Sequence, residues 1–236
     1  SGTELVEVLA FVRKKIAQKE KFWIATPNPE MITLAQKDVE FRYALNSADL
    51  AIPDGVGLVW ASKILGGQLK SRLTGTDLME RLCQESAQNG WRVFFLGSGG
   101  GVAQKALGVL MRHYPGLKGM ADAGPELVIS NWELVIKDTE TNKKTIEKIN
   151  RFAPDLLFVG FGMGKQERRI LKYLDTLQVG GALVVGGAFD FWAGNIQRAP
   201  LWVRNIGLEW LWRLILQPRR IKRQTALAQF VFWILK

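Results

Sequence analysis

A lone carboxylate, Asp54, follows an apolar segment at residues 48–53, in the sequence Pro53-Asp54-Gly55. A carboxylate at a strand end can act as a general base when a substrate hydroxyl lies within hydrogen-bond reach. The alternative is an Asp-Gly turn whose side chain caps the next helix, and this motif alone favours that alternative. Thr26 and Asn28 close the preceding apolar segment. They indicate either contacts to sugar hydroxyls or a turn shaped by the flanking prolines.

A glycine-rich loop, residues 97–101, follows another apolar segment and precedes a helical pattern. Glycines let the backbone approach a diphosphate, and a helix N-terminus offers free N–H groups, so Gly97 and Ser98 are candidates for phosphate contact. The dinucleotide-binding pattern G-x-G-x-x-G would need a glycine where Val102 stands. A tight strand–helix turn without a ligand is the other interpretation.

Metal and triad chemistry have little support in the sequence. His113 and Cys83 are the only residues of their types, and no D-x-D motif occurs. A zinc site or a Ser-His-Asp triad is therefore close to excluded, and we expect neither a metal nor a cofactor. If no metal neutralises a leaving diphosphate, cations must do so, and guanidinium groups bind phosphate oxygens in pairs. The C-terminal arginines, including Arg213, Arg220 and Arg223, are candidates, although they would equally form a solvated basic face or a lipid anchor.

Strand and helix patterns alternate along the chain. Strands are predicted at residues 21–26, 48–53, 91–96, 117–121, 155–159 and 182–185, and helices at 30–45, 56–65, 76–88, 102–113, 142–152 and 165–177. This alternation predicts an α/β fold: a Rossmann-like, mostly parallel sheet flanked by helices, over residues 1–195. Ligands of such sheets bind beyond the carboxyl ends of the strands. The loops after residues 26, 53, 96, 159 and 185 should therefore form the site.

Residues 196–236 have a different character. From Arg198 to Lys236 the chain carries eight basic residues, one acidic residue and four of the nine tryptophans. Cations mixed with tryptophans and aliphatic side chains suit an anionic membrane surface better than a nucleic acid, although the pI is about 9.8. No apolar run approaches the roughly 18–20 residues that span a bilayer, and charged residues interrupt the N-terminal segment where a signal peptide would lie. We expect a cytoplasmic protein, peripheral at the inner face of the cell membrane, with a basic helical appendage broken at Pro218.

Taken together, the motifs resemble those of the WecG/TagA/CpsF glycosyltransferases. The likeness runs in order from about residue 21 to 223, in blocks that include Thr26-Pro27-Asn28-Pro29-Glu30, Pro53-Asp54-Gly55-Val56-Gly57, Arg72 with Gly75-Thr76-Asp77-Leu78, Lys165-Gln166-Glu167, Gly187-Ala188-Phe189-Asp190-Phe191, and Gly207-Leu208-Glu209-Trp210 with Arg213, Pro218 and Arg223. The loop at residues 97–101 departs from the pattern, because many members have a proline there.

The resemblance implies an inverting, metal-independent transfer from a UDP-sugar to undecaprenyl-diphosphate-linked GlcNAc. The branch it resembles most transfers N-acetylmannosamine in wall teichoic acid synthesis; N-acetylmannosaminuronic acid and glucose are the alternative donor sugars. It implies catalytic roles for Asp54 and Thr26. Substrate contacts are implied for Asn28, Arg72, Gly97, Ser98, Gln166, Asp190, Arg213, Arg220 and Arg223. A homo-oligomer is compatible with it. Outside the family, the glycine-rich loop leaves an NAD-dependent oxidoreductase as the alternative.

Overall fold

The computed structural model describes residues 2–69 and 72–236 of the 236-residue chain, without the side chains of residues 2, 3, 222 and 223. Its centre is a six-stranded sheet in which every neighbouring pair is parallel. The strands are β1 (Phe22–Ala25), β2 (Leu50–Ala51), β3 (Arg92–Gly97), β4 (Lys118–Asp122), β7 (Leu156–Gly160) and β8 (Gly181–Val184), in the order β2-β1-β8-β7-β3-β4. A separate antiparallel hairpin pairs β5 (Leu127–Ser130) with β6 (Glu133–Ile136). The predicted α/β architecture is confirmed.

The central strands β1, β8, β7 and β3 are apolar at every position except Arg92, the exposed first residue of β3, because helices cover both faces of the sheet. Phe22, Phe95 and Phe158 point into one buried cluster, and their neighbours Trp23 and Phe94 point into the other. This two-residue alternation places each strand between two cores. The strands are therefore held by packing on both sides, and their carboxyl ends meet at one edge of the sheet.

Helices cover the sheet and connect the strands. Their bounds are α1 (Gly2–Gln18), α2 (Pro29–Lys37), α3 (Val39–Asn46), α4 (Val56–Ile64), α5 (Gly75–Asn89), α6 (Val102–His113), α7 (Thr139–Phe152), α8 (Lys165–Tyr173) and α9 (Ala188–Trp192). Thr74 caps the N-terminus of α5: its Oγ1 accepts a hydrogen bond from the Asp77 N–H at 3.1 Å. The helix predicted over 165–177 ends at Tyr173 and continues as a 3₁₀ turn at Leu174–Thr176.

The prediction of one continuous helix over residues 30–45 is wrong. The segment 30–45 forms two helices, α2 and α3, separated at Asp38. Asp38 caps α3 by accepting the Phe41 N–H at 2.9 Å, and its carboxylate also pairs with the buried Arg168. Because this ion pair depends on a residue 130 positions away, the apolar periodicity of the segment did not reveal the break.

The C-terminal segment is helical and breaks at Pro218 as predicted, and it has a further break at residues 206–208 that was not predicted. It comprises α10 (Leu201–Asn205), α11 (Glu209–Leu216), a 3₁₀ turn at Pro218–Arg220 and α12 (Ile221–Leu235). Helix α12 packs on α2, where Thr33 Oγ1 donates to the Ala226 carbonyl at 3.0 Å and Lys37 Nζ donates to Gln229 Oε1 at 2.9 Å. Within residues 2–69 and 72–236, none of the helices has the length and apolar character that crossing a membrane requires.

Candidate active site

A cavity of about 1010 Å³ opens at the carboxyl edge of the sheet. All five loops that the sequence predicts to form the site contribute to it, together with α4 and the C-terminal segment. Nine of the predicted site residues line it: Thr26, Asn28, Asp54, Arg72, Ser98, Gln166, Asp190, Arg213 and Arg220. Residues that are 194 positions apart in the sequence thus meet around one space.

Asp54 is half-buried in the wall of this cavity. Desolvation by burial is the largest cause that raises its pKa to about 6, and the nearby carboxylate of Glu209 raises it further. The Gly75 N–H, 3.5 Å from Asp54 Oδ2, and the charge of Arg72 act in the opposite direction. At neutral pH the carboxylate is mostly ionised, yet basic enough to take a proton. This combination is what a general base needs.

Thr26 and Asn28 are held by the fold while they face the cavity. Thr26 Oγ1 donates to the Val184 carbonyl at 3.3 Å, which ties the ends of β1 and β8 together and leaves its lone pairs as acceptors. Asn28 Oδ1 accepts the Met31 N–H at 3.0 Å and so caps α2. The two N–H groups of the Asn28 amide are the part of this side chain that can donate to a ligand.

The first residues of the glycine-rich loop contact the neighbouring strand β7. A Cβ on Gly97, whose φ is +115°, would lie 2.6 Å from the Gly160 carbonyl oxygen, so Gly97 is needed for the contact between β3 and β7. Gly97 does not line the cavity as the described residues define it. Ser98 lines it, but its N–H and its hydroxyl both donate to the Gly160 carbonyl at 3.0 Å. A phosphate contact from this loop stays a prediction.

Gln166 presents an acceptor to the cavity. Its Nε2 donates to Glu167 Oε1 at 2.8 Å, and its Oε1 is buried with no hydrogen-bond partner among the described residues. Glu167 also accepts the Gly164 N–H at 2.7 Å, and burial raises the pKa of its carboxyl to about 7. Since a buried acceptor without a partner is costly, Gln166 Oε1 is placed to accept an N–H or O–H from a ligand.

The C-terminal segment brings cations into the cavity. The Arg213 guanidinium lies over the Phe191 ring, 5.0 Å from its centroid. It also lies against Gly187 so closely that a Cβ there would be 2.2 Å from Arg213 Nη2. Arg220 lines the same cavity. The side chain of Arg223 lies outside the described residues.

Ion pairs fasten the segment that carries these arginines to the α/β core. Arg198 binds Asp77 at 2.7 Å and Glu209 at 3.3 Å. Arg72, from the loop before α5, donates to the Arg204 carbonyl and lies 3.9 Å from Glu209. These groups are partly shielded from solvent and share partners, so they form a network rather than isolated surface pairs. The position of Arg72 beside Asp54 therefore depends on the C-terminal segment.

Glu209, Arg198, Gly187 and Glu167 contribute contacts to the site although no motif in the sequence assigned them a role. Glu209, Gly187 and Glu167 lie within the sequence blocks quoted above for the family resemblance. A charged or glycine residue within such a block is the signal that could have identified them. Among the described residues, no three His, Cys, Asp or Glu side chains are grouped so that they could hold a metal ion.

A carboxylate, Asp54, and the guanidinium groups of Arg72, Arg213 and Arg220 line one cavity at the carboxyl edge of a parallel sheet, where proteins of this architecture bind their ligands. The comparison with known families identifies the class of protein. A profile of the Glycosyl transferase WecG/TagA/CpsF family matches residues 1–236. The chain belongs to this family and is a glycosyltransferase.

Three curated relatives carry the name N-acetylglucosaminyldiphosphoundecaprenol N-acetyl-beta-D-mannosaminyltransferase. The protein of Bacillus spizizenii W23 is 33% identical over 221 residues, which cover 93% of this chain and 80% of the relative. That of Bacillus subtilis 168 is 31% identical, with 100% and 88% covered. That of Staphylococcus aureus NCTC 8325 is 29% identical, with 100% and 89% covered. The likeness therefore extends over nearly the whole chain.

Proposed function

We propose that this glycosyltransferase transfers N-acetylmannosamine from UDP-N-acetylmannosamine to undecaprenyl-diphosphate-linked GlcNAc, a step of wall teichoic acid linkage-unit synthesis. The observation that carries the proposal is the shared cavity, which is lined both by an ionisable carboxylate with a pKa of about 6 and by arginines from the C-terminal segment. The names of the relatives supply the identity of the sugar and of the acceptor.

Asp54 is the general base in this mechanism. Its carboxylate takes the proton from the acceptor hydroxyl while the hydroxyl oxygen attacks C1 of the donor sugar. The bond between C1 and the β-phosphate oxygen breaks, and UDP leaves from the opposite face with the bonding electron pair. The anomeric configuration therefore inverts.

Side-chain cations stabilise the charge that develops on the leaving diphosphate. Arg213, Arg220 and Arg223 would act on the β-phosphate, and Arg72 would act from the side of the core. A metal ion is not required for this charge balance. Asn28, Thr26, Gln166 and Asp190 would orient the two sugars through hydrogen bonds.

The C-terminal segment has two roles in this proposal. Residues 196–236 form an appendage to the α/β domain of residues 1–195, and they complete the site while they lie on an anionic membrane surface. Exposed Trp202, Trp210 and Ile215 provide an apolar surface among basic residues, as interfacial helices do.

The replacement Arg198→Gln should loosen the C-terminal segment and speed hydrogen exchange within 201–216, because Arg198 links this segment to Asp77.

The direct test is an assay of free UDP with a panel of UDP-sugars and a short-chain GlcNAc-diphosphate lipid. UDP release that requires both UDP-N-acetylmannosamine and the lipid would support the proposal. Preference for the UDP-linked uronic acid or for UDP-glucose would assign the protein to another branch of the family. A side-by-side thermal-shift measurement with UDP and NAD should show stabilisation by UDP, and stabilisation by NAD alone would contradict the proposal.

A further inference from the structure

The cavity has an apolar half that the proposed chemistry of the sugars does not use. One face of α4 lines it, and so does one face of α12, which packs nearby through the approach of Phe230 to Gly57. We call the space between these faces the apolar groove. Its lining side chains are Val56, Trp60, Ala61, Ile64, Leu227, Phe230, Val231, Ile234 and Leu235.

Several of these side chains are poorly covered by protein. Trp60 is 62% exposed, Ile64 59%, Val231 47% and Leu235 71%. Large apolar groups of this kind, concentrated along the rim of a cavity, are typical of a surface that binds an apolar ligand. The apolar groove is therefore built to cover hydrocarbon.

The apolar groove is continuous with the site of the proposed reaction. Helix α4 begins at Val56, two residues after Asp54, and Ile64 lies about 12 Å further along the helix axis. Helix α12 begins after Arg220, and its lining residues change from Gln224 to Leu227 and then remain apolar to its end. Both helices thus start beside polar groups of the site and extend away as apolar walls.

We infer that the apolar groove binds the first isoprene units of the polyprenyl chain of the acceptor. This inference rests on the proposed function, since the acceptor is then a sugar, a diphosphate and a hydrocarbon chain in one molecule. The cavity offers a carboxylate for the sugar hydroxyl and apolar walls for the hydrocarbon chain of such a molecule. An acyl chain of a bulk lipid and a second copy of this chain are not joined to the reacting sugar. Neither of them would therefore need an apolar wall that continues from the reaction site.

The test measures how transfer depends on the length of the acceptor chain. Acceptors of GlcNAc-diphosphate carry either a short polar cap or one, two or four isoprene units, and are used without detergent micelles or vesicles. For the unmodified protein, kcat/KM should rise with each added unit, mainly through KM. In Trp60→Gln with Val231→Gln, the ratio of kcat/KM between the longest and the capped acceptor should fall about tenfold or more.

Trp132→Gln is the matched control. Trp132 is 57% exposed, close to the value for Trp60, but it lies in the turn between β5 and β6 and does not line the cavity. This variant should keep the dependence on chain length of the unmodified protein. Equal losses in the control and in the groove variant would contradict the inference and point to general contact with lipid.

Direct binding gives a readout that does not need transfer. Isothermal titration with a prenyl diphosphate of four isoprene units should show about tenfold weaker binding to the groove variant than to the unmodified protein or to the Trp132 control. Unchanged binding, or a length dependence that survives in the groove variant, would overturn the inference. Binding that behaves as expected while no acceptor supports UDP release would leave the apolar groove in place and refute the proposed function.

Discussion

Replacing Asp54 by Asn should slow transfer strongly and, above neutral pH, make the protein more stable. Burial raises the pKa of Asp54 from its ordinary value of 3.8 to about 6, so the folded state binds this proton more tightly than the unfolded state does. Ionising Asp54 therefore costs the folded protein free energy, and the stability of the native protein falls as the pH rises from about 4 to about 6. A shift of this size corresponds to about 3 kcal/mol above about pH 7, and to roughly 0.5 kcal/mol at pH 4.

Asn at this position keeps an oxygen that can accept the Gly75 N–H but carries no charge to desolvate. Urea unfolding of the Asp54→Asn variant and of the unmodified protein, compared at pH 4, 6 and 8, isolates the contribution of this carboxyl, because the remaining groups titrate in both. The stability difference should grow with pH in favour of the variant, while UDP release at pH 8 falls by about 10²–10⁴-fold. Asp175→Asn, in an exposed 3₁₀ turn, is the matched control and should change neither quantity. A stability difference that does not vary with pH, or near-normal turnover, would refute the reasoning.

Two further predictions concern groups that surround Asp54 and the leaving phosphates. Gly187→Ala should displace Arg213, since the new Cβ would lie 2.2 Å from its Nη2, and should lower kcat by about 10²-fold without unfolding the protein. A Cβ at Gly108 in α6 would meet Arg112 Nη1 at an ordinary contact distance of 3.8 Å, so Gly108→Ala should leave kcat unchanged, and equal turnover of the two variants would be evidence against the role of Arg213. Glu209→Gln should shift the acidic limb of the pH–rate profile to lower pH, because the Glu209 charge raises the pKa of Asp54. A shift to higher pH would contradict this electrostatic assignment.

The sheet and the loops that form the site could be predicted because their signals are local. Continuous apolar segments predict the central strands, and parallel strands bring the loops that follow them to one edge. The placement of Asp54 and Asn28 in the site follows from this rule together with the family resemblance. The edge at which the site lies does not depend on the order of the strands, since all six run in the same direction.

The remaining features depend on contacts between distant parts of the chain. Asp38, at the break between α2 and α3, pairs with the distant Arg168, and the position of Arg213 requires the absence of a side chain at Gly187. The sequence also gives no sign that α12 returns to pack on α2, because its apolar residues would equally suit a membrane surface. The apolar groove exists only as a result of that packing, which is why it could not be predicted from composition.

The central claim is tested most directly by the anomeric configuration and the metal dependence of one reaction. UDP-N-acetylmannosamine and a prenylated GlcNAc-diphosphate acceptor are incubated with the full chain in excess EDTA. Free UDP is measured, and the anomeric configuration of the product is determined by NMR. The account predicts undiminished UDP release and a β-linked product. A product that retains the configuration of the donor, or activity that EDTA abolishes and added Mg²⁺ restores, would contradict it.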